Sequence, residues 1–261
     1  GSTFARWNGS EVWLGFPPQQ IEGKLYLNRL DLEKSVLPLF SDNPVWTGRQ
    51  PVIVIDPGHG GEQAGTRNIH NNRWEKEFTL DWALRLKSVM TGHGWKVFLT
   101  RTNDIEVTLS NRVAIAEAAQ ADLFVSLHFN SAFPKVENQG FETYCLTPTG
   151  MQSHLTRGYA DDVREELPNN SFDALNLHYS IRLHQALLAA TQGRDRGVRR
   201  ARFMGVLRGQ NRPAVLLEAG YLSNPFEARQ IASEKYRQIL AEAVGNALSA
   251  VHRPVLGSLS R

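Results

Sequence analysis

PVIVIDPGHGGEQAG, residues 51–65, is the stretch whose reading decides the fold. VIVID is a β-branched run held between Pro51 and Pro57, the pattern of a short strand buried on both faces. Glycines crowd the turn that follows, and a glycine-rich turn after a strand usually cradles phosphate. Here the spacing rules that out. Gly58-His59-Gly60 begins like G-x-G-x-x-G, but Gln63 stands where the last glycine belongs, and no G-K-[ST] follows. His59 is therefore the chemically distinctive member of the turn, and Gly58, Gly60 and Gly61 let the backbone fold tightly around whatever it holds.

Outward from this turn, strands and helices alternate. Phe78, Trp82, Leu86 and Met90 recur at every fourth position, a helical stripe that stops at Gly92-His93-Gly94. WKVFLTR (95–101), DLFVSLHF (122–129), GFETYCLT (140–147) and PAVLLEAG (213–220) read as further strands. Helices are expected over 108–120, with Leu109, Val113, Ala116 and Ala119 on one side, over 173–192, and over about 225–252. The expected fold is α/β, a mostly parallel twisted sheet of about six strands with helices on both faces.

Residues 1–40 break this rhythm. They hold two strand-like runs, EVWLGFP (11–17) and KLYLN (24–28), then LDLEKSVLPLF (30–40), a short helix ended by Pro38. SDNPVWTGRQP (41–51) reads as a boundary. The expected organisation is a small N-terminal α+β appendage over 1–47, truncated at its start, and a catalytic domain over 48–261 with an insertion around 147–175. Gly1-Ser2 reads as a cloning remnant, so an export signal would have preceded residue 3.

Composition narrows the class. With 41% apolar and 21% charged residues among 261, a sizeable globular core is expected. No run of about 18 apolar residues marks a transmembrane segment. The lone Cys145 forbids an internal disulfide. A net charge of +3 is too small to argue for nucleic acid without a concentrated patch. The nearest thing to one, Arg194, Arg196, Arg199, Arg200, Arg202, Arg208 and Arg212, reads as a solvated loop.

On the expected sheet, His59 follows the first strand, His128 ends the third and Glu218 ends the fifth, which puts all three at the carboxyl edge, where open α/β sheets bind ligands. Glu75 opens the first helix, and a short strand-to-helix connection returns to that edge. Two histidines and a carboxylate leave an open position on Zn²⁺, and a second carboxylate is then free to act as base. Plainer roles compete: His59 as a loop residue, Glu75 as the partner of Asn72 in a capping box, His128 as a core histidine. Glu218 leaves a buried strand, where a carboxylate is costly unless paired or metal-bound. His70, His93, His154, His178, His184 and His252 show no such convergence and read as surface or packing residues. The absence of G-x-S-x-G, and Cys145 inside a strand, argue against a covalent nucleophile.

VIDPGHGG (54–61), WEKEFTL (74–80), LTRTND (99–104), SLHFNS (126–131) and AVLLEAGYLSN (214–224), in that order, resemble the zinc-dependent N-acetylmuramoyl-L-alanine amidases of the type-3 catalytic domain family, over roughly residues 51–250. The resemblance implies one Zn²⁺ ion bound by His59, Glu75 and His128, Glu218 as the catalytic glutamate, and Asn130 in a supporting role toward substrate. It implies peptidoglycan as substrate, an activator protein as a candidate partner, and an exported protein of the periplasm or cell envelope. Segments near the 147–175 insertion are inhibitory helices in some members of that family. Here the segment is expected either to form part of the cleft wall or a movable cover, or to be an ordered surface excursion. Two other classes stay open: a zinc hydrolase of another amide, such as a peptidase or sugar deacetylase, though no H-E-x-x-H is present, and a non-catalytic wall-binding module. Oligomeric state is not legible.

Overall fold

The computed structural model describes residues 2–41, 49–155, 158 and 161–249. The expected boundary between residues 47 and 48, His252 and the end of the last expected helix lie outside the described residues. The chain opens with an antiparallel hairpin, β1 (Phe4–Trp7) and β2 (Ser10–Trp13), followed by a separate ribbon, β3 (Gln19–Ile21) and β4 (Lys24–Tyr26). Next comes one helical segment: α1 (Arg29–Asp31), a π turn (Leu32–Val36) and α2 (Leu37–Phe40). Then follow β5 (Val52–Pro57), α3 (Glu75–Gly92), β6 (Lys96–Leu99), α4 (Leu109–Ala118), β7 (Leu123–Asn130) and β8 (Phe141–Cys145). The chain continues with α5 (Asp173–Thr191), β9 (Asp195–Arg200), α6 (Gly205–Arg208), β10 (Ala214–Tyr221), α7 (Pro225–Ala232) and α8 (Glu234–Ser249).

The α/β sheet expected from the sequence is present, and it is wider than expected. Eight strands lie in the order β1-β2-β9-β8-β10-β7-β5-β6. β6, β5, β7 and β10 run parallel, β8 pairs antiparallel with β10, and β9 and β2 follow the direction of β8. The carboxyl ends of β5, β7 and β10 therefore share one edge. Alternation along β5 divides the interior. Ile53 and Ile55 face the layer of α3, α5 and α8, where Phe78, Trp82, Leu86 and Met90 are all fully buried. Val52 and Val54 face the layer of α4 and α6, against Phe124, Tyr144, Ala116, Val206 and Leu207.

Two expectations fail, each for a physical reason. The arginines of 194–212 are not a solvated loop: six residues of that span form β9, and Arg200, Arg202 and Arg212 are buried. Their donors end on backbone carbonyls, Arg200 Nη2 on Lys34 (2.6 Å), Arg202 Nη1 on Thr147 (3.2 Å) and Arg212 Nη1 on Ala116 (2.5 Å), with Arg212 also paired to Glu117. A guanidinium has five donors, so it satisfies orphan carbonyls where chain segments meet. Nor does Pro38 end its helix, which runs on to Phe40. The π turn absorbs the proline, with the Leu37 N–H on the Leu32 carbonyl, and the Lys34 carbonyl that residue 38 cannot serve accepts from Arg200 instead.

Candidate active site

The site begins with the turn after β5. The Gly58 N–H donates to the Leu127 carbonyl (3.0 Å), which carries the strand pairing one residue beyond β5. Only glycine fits there, since a Cβ at residue 58 would lie 2.2 Å from Cε1 of His128. His59 takes φ +63°, the left-handed region that non-glycine residues avoid. Two buried arginines hold the turn against that strain. Arg101 donates from Nε to the Pro57 carbonyl (3.1 Å) and from Nη2 to that of Gly58 (2.9 Å), and Arg112 donates from Nη2 to that of His59 (2.8 Å). The Arg112 charge is met by buried Asp56, which also accepts from Thr100 Oγ1 (2.5 Å) and Ser126 Oγ (2.7 Å). Burial, with the Arg112 charge beside it, draws the Arg101 guanidinium down to about 10, so it remains charged at neutral pH.

Glu75 opens α3 and turns inward. It is not the capping partner of Asn72, which lies in the preceding turn at φ +63°; the helix is capped at Trp74, whose N–H is held by Glu77 (2.9 Å). Glu75 is thereby free to face the histidines. Its Oε2 lies 3.0 Å from His59 Nε2 and its Oε1 3.1 Å from His128 Nδ1, while the Thr66 and Phe129 N–H groups each donate to it at 3.1 Å. Burial alone would raise the carboxyl, but the bonds and charge of His128 and His59 outweigh it and bring it down to about 2. The group is an anion, as a metal ligand must be.

These three side chains fit a zinc ion. One ligand atom from each lies within 4.8 Å of the others, and the imidazoles stand nearly perpendicular, 4.9 Å between centroids. The cradle is tight, because a Cβ at Gly65 would sit 2.5 Å from Oε2 of Glu75 and 2.8 Å from Cδ2 of His59. Glu75 is 5% exposed, whereas His59 and His128 are 28% and 17% exposed, so the open side of the group is the histidine side. That side faces a cavity of about 170 Å³ lined by Gln63, Leu109, Phe203 and Met204. Three protein ligands and one open position is the arrangement of hydrolytic zinc sites.

Register places the acid. Glu218 on β10 lies opposite His128 on β7 and opposite Glu142 on β8, so all three side chains stand on one face of the sheet. Glu142, which sequence reasoning did not single out, stands beside Glu218 on this face. Its Oε2 accepts from Tyr144 (2.7 Å) and from Asn130 Nδ2 (3.1 Å), and its Oε1 from Arg196 Nε (2.6 Å) and Tyr221 (2.9 Å). Asn130 is thus tied into this network, with its Oδ1 accepting from the Ser131 N–H. The signal that singled out Glu218, a carboxylate within a buried strand, was equally present in GFETYC. His184 is a packing residue as expected, fully buried between Thr143 Oγ1 (3.0 Å) and Asp195 Oδ1 (2.9 Å). Cys145 is buried, and burial pushes its thiol up, which suits no nucleophile.

Comparison with known proteins gives the family. The model of the N-acetylmuramoyl-L-alanine amidase family matches residues 53–250. The amidase AmiC of Escherichia coli is 32% identical over 241 residues, covering 83% of this chain and 57% of AmiC. Among solved structures, an N-acetylmuramoyl-L-alanine amidase from Clostridium difficile superposes at a TM-score of 0.64 with 28% identity, over 78% of this chain and 97% of that one. The catalytic domain of CwlV from Paenibacillus polymyxa superposes at 0.63 with 30% identity, over 77% and 97%. The chain spans little more than half the length of the curated AmiC relatives it matches. Sequence, fold and the match over residues 53–250 coincide, and the chain belongs to the N-acetylmuramoyl-L-alanine amidase family.

Proposed function

We propose that this chain hydrolyses the amide between N-acetylmuramic acid and L-alanine in peptidoglycan, with one zinc ion held by His59, Glu75 and His128 and with Glu218 as general base and acid. The observation that carries the reading is the row itself: Glu218 is the strand neighbour of His128 on the same face of the sheet, next to a three-ligand group with an open side. When bound, zinc would polarise the scissile carbonyl and lower the pKa of water to roughly 7. Glu218 takes the proton from the attacking water and delivers it to the departing alanine nitrogen, which cannot leave as an anion. Arg101 and Arg112 keep His59 in place throughout, and Phe203 and Met204 shape the wall of the cleft. The substrate lies outside the cytoplasm, so the reading requires export. Among the described residues no helix is long and apolar enough to cross a membrane.

The test is wild type beside Glu218→Gln on insoluble peptidoglycan with zinc, products identified by mass. Stem peptides with an L-alanine amino terminus, released by wild type and at least ~10²-fold more slowly by the variant at equal zinc content, are the expected result. Equal release by both would remove Glu218 from its role. No release by either, with zinc bound, would point to an activator requirement or a wall-binding module.

A further inference from the structure

The cavity of about 170 Å³ beside the two histidines offers a ligand few hydrogen bonds. Of its polar lining, Arg112 is spent on Asp56 and on the carbonyls of Val107 (3.0 Å), Pro57 (2.9 Å) and His59 (2.8 Å). Asp56 accepts from Thr100 and Ser126 as well, and Gln63 turns its Nε2 to Glu106 (2.9 Å). Apart from Gly205 and the imidazoles, the rest of the lining is apolar. Val206 and Leu216 are buried at its floor, while Leu109, Phe203 and Met204 keep some exposure at its mouth. The volume is below the ~300–1,000 Å³ of ordinary ligand pockets. It suits one compact apolar group, not a sugar ring or a length of peptide.

The mouth is fixed in place. Leu109 is 54% exposed, yet it is the first residue of α4, whose Thr108 cap accepts from the Asn111 N–H (3.2 Å). Gly205 opens α6, and a Cβ there would lie 2.7 Å from Leu109 Cδ1. The leucine therefore rests against bare backbone, a seat that a methyl group at residue 205 would displace. On the same cavity wall, the Phe203 ring lies 6.2 Å from that of His154 in the segment after β8.

We propose that this pocket takes a methyl group on the carbon next to the scissile amide, and that Leu109 limits the size of the group that can stand there. The inference rests on the proposed reaction for its substrate. In that substrate both carbons flanking the amide carry a methyl group, the α-carbon of alanine and the lactyl carbon of muramic acid. The ligand chemistry is therefore the same from either side. Because His59 and His128 line the same cavity, an amide brought to them sets its neighbouring carbon against the apolar wall. One methyl group in such a pocket is worth a factor of about 10 to 200 in discrimination.

The experiment uses the zinc-loaded chain and muramoyl-alanyl peptides in which the methyl group on one flanking carbon at a time is replaced by hydrogen or by ethyl. For wild type, the change to hydrogen on the pocketed side is expected to lower kcat/KM about tenfold or more, and the side that responds identifies the group. Leu109→Ala, which widens the mouth, should move the methyl-to-ethyl ratio of kcat/KM on that side toward ethyl by about fivefold or more. A wild type indifferent to both methyl groups, or a ratio unmoved by Leu109→Ala, would overturn the pocket. Should wild type cleave none of the peptides, the proposed reaction falls instead. Calorimetry with formohydroxamate and acetohydroxamate, probes that anchor at zinc, then decides the pocket alone. Tighter binding of the methyl-bearing probe in wild type, reduced in Leu109→Ala, supports it, and equal binding of the two overturns it.

Discussion

At the scale of the residue, the site is a set of close approaches that tolerate little else. Gly58→Ala would drive a methyl group into the His128 ring, and the ring must yield, because the strand pairing of Gly58 is backbone. We expect zinc affinity to fall by about tenfold or more, read by competition with a chromophoric chelator, with little change in far-UV circular dichroism. Arg112→Gln removes both the clamp on the His59 carbonyl and the charge that answers Asp56. It should weaken zinc binding about 10- to 100-fold and, because Asp56 is left buried and unpaired, lower unfolding stability by about 3–5 kcal/mol in urea. A variant that lost zinc affinity without stability would show that Asp56 finds another partner.

At the scale of the element, what carries α7 is its start. Asn224 accepts from the N–H groups of Phe226 (3.0 Å) and Glu227 (3.1 Å), with Pro225 at the first helical position. Glu227 then reaches back to the N–H groups of Gly140 (2.8 Å) and Tyr221 (2.7 Å), so the cap also fixes the ends of β8 and β10 beside the site. Asn224→Ala should cost about 1 kcal/mol, seen as a lower urea midpoint at unchanged slope. The elements also show what a sequence discloses. β5, β7 and β10 were legible because apolar runs ending in His or Glu have few other uses, and α3 because its stripe keeps strict spacing. β9 was not, because DRGVRR carries its charges in a strand whose arginines meet partners distant in sequence, the Glu142 carboxylate for Arg196 and the Lys34 carbonyl for Arg200, and nothing local announces those partners. The β1–β2 hairpin pairs with β9 through Val12 and Val198, a contact between residues 186 positions apart that no local window contains. Glu142 was overlooked because the register that sets it beside Glu218 is a property of the sheet.

At the scale of the whole molecule, buried ion networks set the response to acid. Burial would raise the carboxyls of Glu142, Asp81 and Asp195, yet their partners, Arg199 and Arg196 for the first, Arg85 and Arg237 for the second, His184 for the third, hold each below its ordinary value. The unfolded chain therefore binds protons first as pH falls. The stability these groups contribute is complete above about pH 5 and is lost progressively below it. Glu227 acts with the opposite sign, since burial holds its carboxyl above the ordinary value. With Glu75, Glu77 and Asp104 also held below their ordinary values, six lowered carboxyls stand against one raised, and the urea midpoint should be flat from about pH 7 to about pH 5.5 and fall steadily toward about pH 3. A midpoint that rose on acidification would mean that Glu227 dominates. The described part of the 147–175 segment belongs to the same scale. His154 N–H donates to the Arg200 carbonyl (3.0 Å), Asn169 Nδ2 to the Arg212 carbonyl (2.7 Å), and Met151 is fully buried. We propose that it buttresses the cleft wall from behind Phe203, and Met151→Ala should destabilise the fold by about 2–5 kcal/mol.

The middle of the sheet is made last. β10 joins β7 to β8, yet it is residues 214–221, whereas His59, Glu75 and His128, which could hold a metal ion, have all been synthesised by residue 128. At roughly 5–20 residues per second on the ribosome, several seconds separate the last ligand from Glu218 and from the strand that joins the two halves of the sheet. During that interval the nascent chain holds His59, Glu75 and His128 without Glu218, so on the proposed reading the group that could hold a metal ion is complete before the carboxylate that would serve as base exists.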